Sequence, residues 1–152
     1  MRISAKVDYA VRAAIELAGA ERGAPLKGDR IAAAQDIPMK FLENILSELR
    51  RSGLVGSRRG TEGGYWLARP PAQITVADII RAVEGPLANV QGVRPEDLEF
   101  TGSAVPLQRM WVCVRASLRS VLEHVTLADL VAGMLPAKVS RMADDPDAWA
   151  PR

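Results

Sequence analysis

The sequence predicts a mainly α-helical fold with one small β-hairpin, an α+β arrangement, on three observations. Apolar residues recur at helical spacing in the N-terminal third and again near residues 104–124. A glycine-rich stretch at residues 60–64 separates two short apolar runs, which is typical of a hairpin turn. The length of 152 residues fits one domain, or a small domain with an added oligomerisation element. We divide the chain into residues 1–70, residues 71–134 and a flexible tail, 135–152.

The first two helices are short enough to pack within one small domain. The first is expected to begin near Ser4 and to run to about Arg22, where Gly23-Ala24-Pro25 ends it. Asp8 and Arg12 are four residues apart, so their side chains can form an ion pair across one turn. The second helix is expected from about Asp29 to Gln35.

The third predicted helix, from about Pro38 to Ser52, is strongly amphipathic. Its apolar stripe has the spacing i, i+3, i+4, i+7 and consists of Leu42, Ile45, Leu46 and Leu49. The opposite face is polar and carries Lys40, Glu43, Asn44, Ser47, Arg50 and Arg51. This helix is therefore expected to bury one face and to present the other to solvent.

A cationic hairpin follows, with Arg58 and Arg59 at its tip. Gly60, Gly63 and Gly64 supply the positive-φ freedom that a tight turn demands. Two helices followed by such a hairpin is the element order of a winged helix-turn-helix, a DNA-binding fold. The alternative is an ordinary hairpin with two solvated arginines.

The part of the chain after Arg69-Pro70-Pro71 begins and ends with short capped helices. Thr75 and Asp78 form a capping-box pattern for a helix that extends to about Glu84. Residues 85–103 show little periodicity, which indicates a long irregular loop. Thr126 to Asp129 repeats the capping pattern before a last helix near Gly133, and we expect a frayed tail beyond Pro136.

A long helix is predicted between these two segments, at about residues 104–124. Ser103 is its expected cap, and Pro106 falls in its first turn. Apolar residues recur at intervals of three and four along it: Leu107, Met110, Trp111, Val114, Leu118, Val121 and Leu122.

Composition narrows the class of protein. An apolar fraction of 48% is ample for a core, and no apolar run approaches the roughly 18 residues of a membrane span. The segment Met1–Lys6 is not followed by the apolar region of a secretory signal, and the single cysteine excludes an internal disulfide framework, so we expect a cytoplasmic protein. Residues 1–69 hold 12 Lys and Arg against 8 Asp and Glu, whereas residues 70–152 hold 8 against 10. The basic excess thus falls on the candidate DNA-binding half.

Several segments together resemble the Rrf family of bacterial winged-helix transcriptional regulators. The matching segments are Ser4 to Val11, Phe41 to Leu46, Leu49 to Val55, Arg59 to Tyr65 and Val125 to Leu130. They span about residues 1–134 in the family's order and spacing. The resemblance implies a homodimeric, sequence-specific repressor or activator, for which we expect a repressor, whose long helix packs against the partner's copy through the apolar positions named above.

In this interpretation, the third helix lies in the major groove of double-stranded DNA. Its exposed N-terminal positions are Met39, Lys40, Glu43 and Asn44. Lys40 can donate to guanine or a phosphate, Asn44 can pair with adenine, and Glu43 can accept from the cytosine amino group. By resemblance, an acidic residue at the Glu43 position takes part in base selection in some relatives. The alternative is that Glu43 lies on a solvated face and contacts no base.

The hairpin and the first helix supply the remaining predicted DNA contacts. Arg58, Arg59 and Gly60 at the tip are expected at the adjacent minor groove or at phosphates. Ser4 and Lys6 are candidates for contacts with the phosphate backbone. A dimer of this kind predicts a palindromic operator and binding that weakens steeply as salt rises.

The signal that such a regulator senses is less evident. Relatives hold an iron–sulfur cluster with three cysteines in the loop after the hairpin, but residues 85–104 contain neither cysteine nor histidine. A conventional cluster is therefore not expected, and no cofactor is predicted. The relatives' histidine position matches Gln108, and their acidic ligand position matches Asp8, for which a structural pair with Arg12 is the better interpretation.

Cys113, beside Trp111 on the long helix, is the remaining sensor candidate. A cysteine at such a site usually packs as a small buried hydrophobe. The alternatives are a redox-sensing thiol, an intersubunit disulfide, or a metal or haem site built with His124 across the dimer. A small organic effector, bound near Trp111 and the 85–103 loop, or a protein effector also remains open.

An enzyme is excluded by the residue inventory. One histidine and one cysteine on separate helical segments make no nucleophile–base pair, and the glycine run lies between strands instead of in a phosphate-binding loop. The alternative to a DNA-binding repressor is a regulator that works mainly through a protein partner, as an adaptor with weakened DNA recognition.

Overall fold

The computed structural model describes residues 2–21 and 24–151. The described residues form seven α-helices and one two-stranded antiparallel sheet. The helices and strands are α1 (Ala5–Gly19), α2 (Gly28–Gln35), α3 (Met39–Arg51), β1 (Val55–Arg58), β2 (Gly64–Leu67), α4 (Val76–Glu84), α5 (Pro106–Leu122), α6 (Leu127–Val131) and α7 (Ala137–Ala143). The predicted mainly α class with a small hairpin wing is confirmed.

Helix α1 begins as the sequence predicts but ends earlier. The Ser4 hydroxyl accepts a hydrogen bond from the Val7 N–H at 3.1 Å and so caps the helix. The helix ends at Gly19, and Ala20 already has extended backbone, so the predicted end near Arg22 is wrong. Glycine favours such a stop because it loses more conformational freedom than other residues in a helix. Residues 22 and 23 lie outside the described residues.

The main core forms between α1 and the apolar stripe of α3. All four residues of the predicted stripe have 0% exposure: Leu42, Ile45, Leu46 and Leu49. They pack with Ala10, Ala13 and Ala14 of α1, whose small side chains allow the two helices to approach closely. The Asp8 carboxylate and the Arg12 guanidinium are 2.9 Å apart, which confirms the predicted ion pair on the outer side of α1.

The hairpin is extended by a third segment that the sequence did not indicate. In the register of β1 and β2, Val55 faces Leu67 and Arg58 faces Gly64. Leu26 forms an isolated bridge with Tyr65 on the other side of β2, with both backbone hydrogen bonds at 2.8 Å. The chain before α2 is thus joined to the hairpin, and the hairpin is fixed relative to α2 and α3.

The core continues past residue 70, where the sequence division placed a boundary. Ile74, Ile79 and Leu127 each have 0% exposure and belong to the same cluster as the α1 and α3 residues. Thr75 and Thr126 form an antiparallel bridge, and each caps its helix through the predicted capping box with Asp78 or Asp129. The division itself stays a prediction, but the hydrophobic core does not end at it.

Helix α5 differs from its predicted form at its start. Ser103 lies within a 3₁₀ turn, Gly102–Ala104, and the N-cap position is Val105, with no side-chain cap. The expected Ser103 cap is therefore wrong: Val105 already has helical backbone, so no extended residue precedes Pro106 from which a side chain could reach back. None of the residues in α5 is buried.

The C-terminal segment contains regular structure where a frayed tail was expected. Residues Ala137–Ala143 form α7, and Pro146–Trp149 form a 3₁₀ turn. Val139 is buried, and the Trp149 indole Nε1 donates to the Ala143 carbonyl at 2.6 Å. These local contacts favour regular structure in the segment, and the flexibility of residues 135–152 stays a prediction.

Candidate nucleic-acid interface

The outer face of α3 is exposed along the positions that the sequence singled out. Met39, Lys40, Glu43 and Asn44 are all exposed. Within residues 2–21 and 24–151, the side chains of Lys40, Glu43 and Asn44 make no hydrogen bond or ion pair. Since the buried stripe fixes the rotation of the helix, these three polar groups face solvent and keep their hydrogen-bonding capacity for an external ligand.

Met39 has a second role at the start of α3. It is 42% exposed, but a Cβ atom added to Gly28 would come within 3.0 Å of the Met39 Cε. Glycine at the first position of α2 therefore makes room for the methionine side chain. The apolar part of Met39 helps to hold α2 against α3, so it is a packing residue as well as a surface residue.

The two arginines at the hairpin tip differ in their contacts. The Arg58 guanidinium donates to the Glu62 carbonyl across the turn at 3.0 Å. For Arg59, which is exposed, the described residues supply no hydrogen-bond or ion-pair partner. A long cationic side chain with no internal partner can reach a phosphate without first breaking a bond.

Two glycines make the close geometry of this turn. A Cβ atom at Gly63 would lie 2.1 Å from the Arg58 carbonyl oxygen, and one at Gly64 would lie 2.5 Å from the Leu26 carbonyl oxygen. Gly64 also has φ of +148°, which side chains rarely adopt. Any larger residue here would push the hairpin tip away from the Leu26 segment.

Two cations beside the hairpin were not predicted as part of the site. The Lys27 ammonium donates to the Gly60 carbonyl at 2.7 Å, and the Arg50 guanidinium donates to the Ser57 hydroxyl at 3.2 Å. Lys27 connects the chain before α2 with the hairpin tip, and Arg50 connects the end of α3 with β1. Only the three-dimensional fold brings these pairs together, so no local pattern could have indicated them.

The predicted backbone contacts in α1 are occupied inside the protein. The Lys6 ammonium lies 2.8 Å from the Glu48 carboxylate and donates to the Val83 carbonyl at 2.7 Å. The Ser4 hydroxyl, besides capping α1, donates to the Glu84 carboxylate. These bonds join α1 to α3 and α4, and they favour a structural role for Ser4 and Lys6 over a contact with DNA.

Comparisons with known proteins identify the family to which this fold belongs. A family model described as Rrf2, iron-dependent transcriptional regulator, matches residues 3–133. This chain belongs to the Rrf2 family. It is 51% identical over 145 residues to the HTH-type transcriptional regulator candidate Rv1287 of Mycobacterium tuberculosis, covering 95% of this chain and 90% of that protein. It is 37% identical to the HTH-type transcriptional regulator CymR of Bacillus subtilis, covering 87% of this chain and 91% of CymR.

Solved Rrf2-family structures have the same fold. The structure titled CymR (YrzC), the global cysteine regulator of B. subtilis, superimposes with a TM-score of 0.73 at 36% identity, over 88% of this chain and 98% of that one. T. potens IscR gives a TM-score of 0.69 at 33% identity, over 100% and 93% of the two chains. The protein is therefore a DNA-binding transcriptional regulator and not an enzyme.

The family description implies iron, but a chain with one cysteine cannot supply three thiolates to a conventional cluster. Its one cysteine, Cys113, lies on α5 and not in the loop before it, and the described residues contain no group of three His, Cys, Asp or Glu that could hold a metal ion. Gln108, at the family's histidine position, donates instead to the Glu96 and Leu98 carbonyls at 3.0 and 2.7 Å. This amide fastens the loop to α5.

The predicted dimerisation residues form a half-exposed face on α5. Met110 is 41% exposed, and the other six are partly buried: Leu107, Trp111, Val114, Leu118, Val121 and Leu122. Cys113 is exposed, so the expectation that it packs as a small buried hydrophobe is wrong for the single chain. Its role as a sensor stays a prediction.

Among the described residues, no helix is both long and apolar enough to cross a membrane.

Proposed function

We propose that this Rrf2-family protein is a homodimeric repressor that binds a palindromic operator in double-stranded DNA. The observation that carries the proposal is a pair of features linked by the Lys27–Gly28 segment, which bonds the hairpin tip at Gly60 and lies against Met39 at the start of α3. The polar N-terminal part of α3 and the Arg59 side chain are both exposed and without internal partners in the described residues. Repression requires only that the bound dimer occupy the operator.

The α3 surface supports recognition of bases in the major groove. Asn44 offers an acceptor and two donors, which suits a bidentate pair with adenine. Lys40 suits guanine or a phosphate, and Glu43 suits the cytosine amino group because a carboxylate near phosphates is otherwise unfavourable. An acidic residue at this position thus contributes to selectivity more than to affinity.

The hairpin supports a second anchoring point beside the first. Arg59 can enter a narrow minor groove, where negative potential concentrates, or bind a phosphate. Lys27 supports the tip through its bond to the Gly60 carbonyl and adds a positive charge there. The two anchoring points together would fix the register of α3 on the duplex.

The dimer is proposed from the α5 face. Its apolar residues recur with helical spacing along the whole helix, yet none of them is buried in the single chain. A second copy that packs its own α5 on this face would bury them symmetrically. Two-fold symmetry of the protein then requires inverted half-sites in the operator.

The test is a binding titration with a duplex taken from the region upstream of the protein's own coding sequence. Arg59→Ala should weaken binding and reduce the slope of log affinity against log salt by about one for each half-site. Asn44→Ala should cost about 1–3 kcal/mol for each half-site and relax the preference at one base pair in each. Arg141→Ala, which removes the same charge from the exposed surface of α7, is the matched control.

The same experiment decides against the alternatives. Unchanged operator binding in Arg59→Ala and Asn44→Ala would contradict the proposed DNA surface and favour a regulator that acts through a protein partner. Activation of a promoter in an in vitro transcription assay would keep the DNA surface and overturn repression.

A further inference from the structure

A cavity of about 370 Å³ lies between the end of α4, the following loop and α5, away from the DNA-binding face of α3. Four arginines from these three elements line it: Arg81, Arg94, Arg115 and Arg119. Trp111, near which the sequence placed an effector site, is not among the lining residues. The convergence of four positive side chains on one cavity requires an explanation, because like charges repel at short range.

Two carboxylates account for part of this charge. The Glu123 carboxylate accepts hydrogen bonds from the Arg81 guanidinium and, at 2.9 Å, from the Arg119 Nε. The Glu96 carboxylate accepts one from the Arg115 guanidinium. Hydrogen bonds from Arg81 and then Arg119 lower the pKa of Glu123. A hydrogen bond from its own backbone N–H, and then one from Arg115, lowers the pKa of Glu96. Both are therefore ionised at neutral pH, and four guanidinium groups face two carboxylates.

The excess positive charge is available to a ligand. The Arg94 side chain, on the exposed loop, makes no hydrogen bond or ion pair within the part of the chain that the structure describes, although its charge also lowers the pKa of Glu96. Arg81, Arg115 and Arg119 each use one donor nitrogen in the bonds given above. A guanidinium has five N–H donors, so each retains several that can point into the cavity.

We propose that this cavity binds a small polyanion, a compound with two or three carboxylate or phosphate groups. Planar guanidinium forks match the geometry of carboxylates and phosphates and bind them through paired hydrogen bonds. The volume of about 370 Å³ lies in the range of sites for small molecules, roughly 300–1,000 Å³.

The position of the cavity makes such a ligand a candidate effector. Ile79 of α4 is fully buried in the core beside α3, whereas α5 has no buried residue. A polyanion held by Arg81 and Arg115 would join the DNA-binding body to α5. Binding would then favour one arrangement of the two over others, which is how a ligand shifts a conformational equilibrium.

Isothermal titration calorimetry on the full chain without DNA tests the site. Citrate and inorganic pyrophosphate are the two probes, and glycerol at the same ionic strength is the neutral control. We expect saturable binding of at least one anion, one per chain, and no heat from glycerol. Saturation by citrate alone identifies a carboxylate ligand, and saturation by pyrophosphate alone identifies a phosphate ligand.

Variants locate the binding on the cavity. Arg94→Gln and Arg115→Gln should each weaken the anion by about tenfold or more, as expected for a lost charge-assisted hydrogen bond. Arg109→Gln removes the same charge from an exposed position on α5 that does not line the cavity, and should change affinity by less than about twofold. If Arg115→Gln fails to fold, Arg94→Gln decides, because the Arg94 side chain makes no hydrogen bond or ion pair among the described residues.

Two results would overturn the proposal. One is the absence of saturable binding for both anions; the other is binding that all three variants weaken equally, which would mean a diffuse charge effect around a purely structural network. Since the titration contains no DNA, neither result affects the proposed operator binding, and loss of operator binding would not affect this site.

Discussion

Helices α3 and α5 have the same kind of apolar repeat but opposite surroundings. The four apolar stripe residues of α3 are completely buried against α1 and α4, whereas α5 has no buried residue, and its Met110 is 41% exposed. Both helices satisfy the same rule of apolar spacing at three and four residues. The apolar face of α3 is covered by the chain itself, whereas the apolar face of α5 is not.

The difference separates two uses of the same pattern. A helix whose apolar face is covered by its own chain contributes to the stability of the single chain. A helix whose face is uncovered contributes when a second surface covers it, and for this Rrf2-family protein we propose a second copy of α5. The two helices should therefore respond differently to the same substitution.

The largest effect is expected from Leu46→Ala in α3. Leu46 has 0% exposure, so the loss of its side chain removes buried apolar surface and leaves a cavity, at a cost of about 2–5 kcal/mol in the free energy of unfolding. Urea denaturation followed by circular dichroism at low protein concentration measures it. Leu118→Ala in α5 is the matched control and should cost clearly less under those conditions, because Leu118 is only partly buried in the chain. Equal costs would remove the contrast between the two helices.

Leu118→Glu tests the same contrast from the other side. In the proposed dimer, each copy would place an unpaired carboxylate in the apolar contact, so the dissociation constant of the dimer should rise on the order of a hundredfold. Sedimentation velocity across a concentration series measures the change, and operator affinity should fall with it. Met142→Glu on α7, where the side chain is 52% exposed, should leave the dimer intact. A wild-type protein that stays monomeric at all concentrations would contradict the proposed dimer.

A smaller loss of stability is expected from the cap of α6, which packs on the main core close to the end of α5. Thr126→Ala removes the cap of α6, whose Leu127 lies in the main core, and should cost about 1 kcal/mol of stability. Ser103→Ala, at the predicted but unformed cap of α5, should cost close to nothing because its hydroxyl caps no helix. Thermal unfolding of both variants checks the pair; a comparable loss in Ser103→Ala would mean that this serine does stabilise the start of α5.

How much the sequence could predict depends on the range of the contacts involved. The α3 stripe, the Asp8–Arg12 pair and both capping boxes were predictable because each is a local pattern of three or four residues. The Lys27–Gly60 bond and the Leu26–Tyr65 bridge join residues more than thirty positions apart, and no periodicity indicates them.

Errors in the prediction arose where a local signal had a competing structure. Ser103 is a suitable cap by type, but it lies within a 3₁₀ turn, two residues before the N-cap position at Val105. Proline and charge suggested a frayed end, yet residues 137–143 form α7, with Val139 buried and the Trp149 indole donating to the Ala143 carbonyl. The arginine cavity was out of reach because its members come from three separate segments.

The smallest expected effect is a dependence of stability on pH at the α6 cap. A hydrogen bond from the Thr126 backbone N–H, at 2.8 Å, and then one from the Thr126 hydroxyl lower the pKa of the Asp129 carboxyl below its ordinary value. A lowered folded-state pKa means that the contribution is fully present above the ordinary value of about 3.9 and is lost as pH falls through the folded value.

Asp129→Asn isolates this contribution because asparagine keeps the shape without the charge. Wild type should unfold at a higher temperature than the variant at neutral pH, and the gap should close only below about pH 4. Glu99→Gln, an exposed carboxylate on the loop before α5, is the control and should show no such pH-dependent gap. Equal unfolding temperatures of wild type and variant at neutral pH would mean that Asp129 acts through shape alone, and α6 would then be held to the core by Leu127 and the Thr75–Thr126 bridge without help from charge.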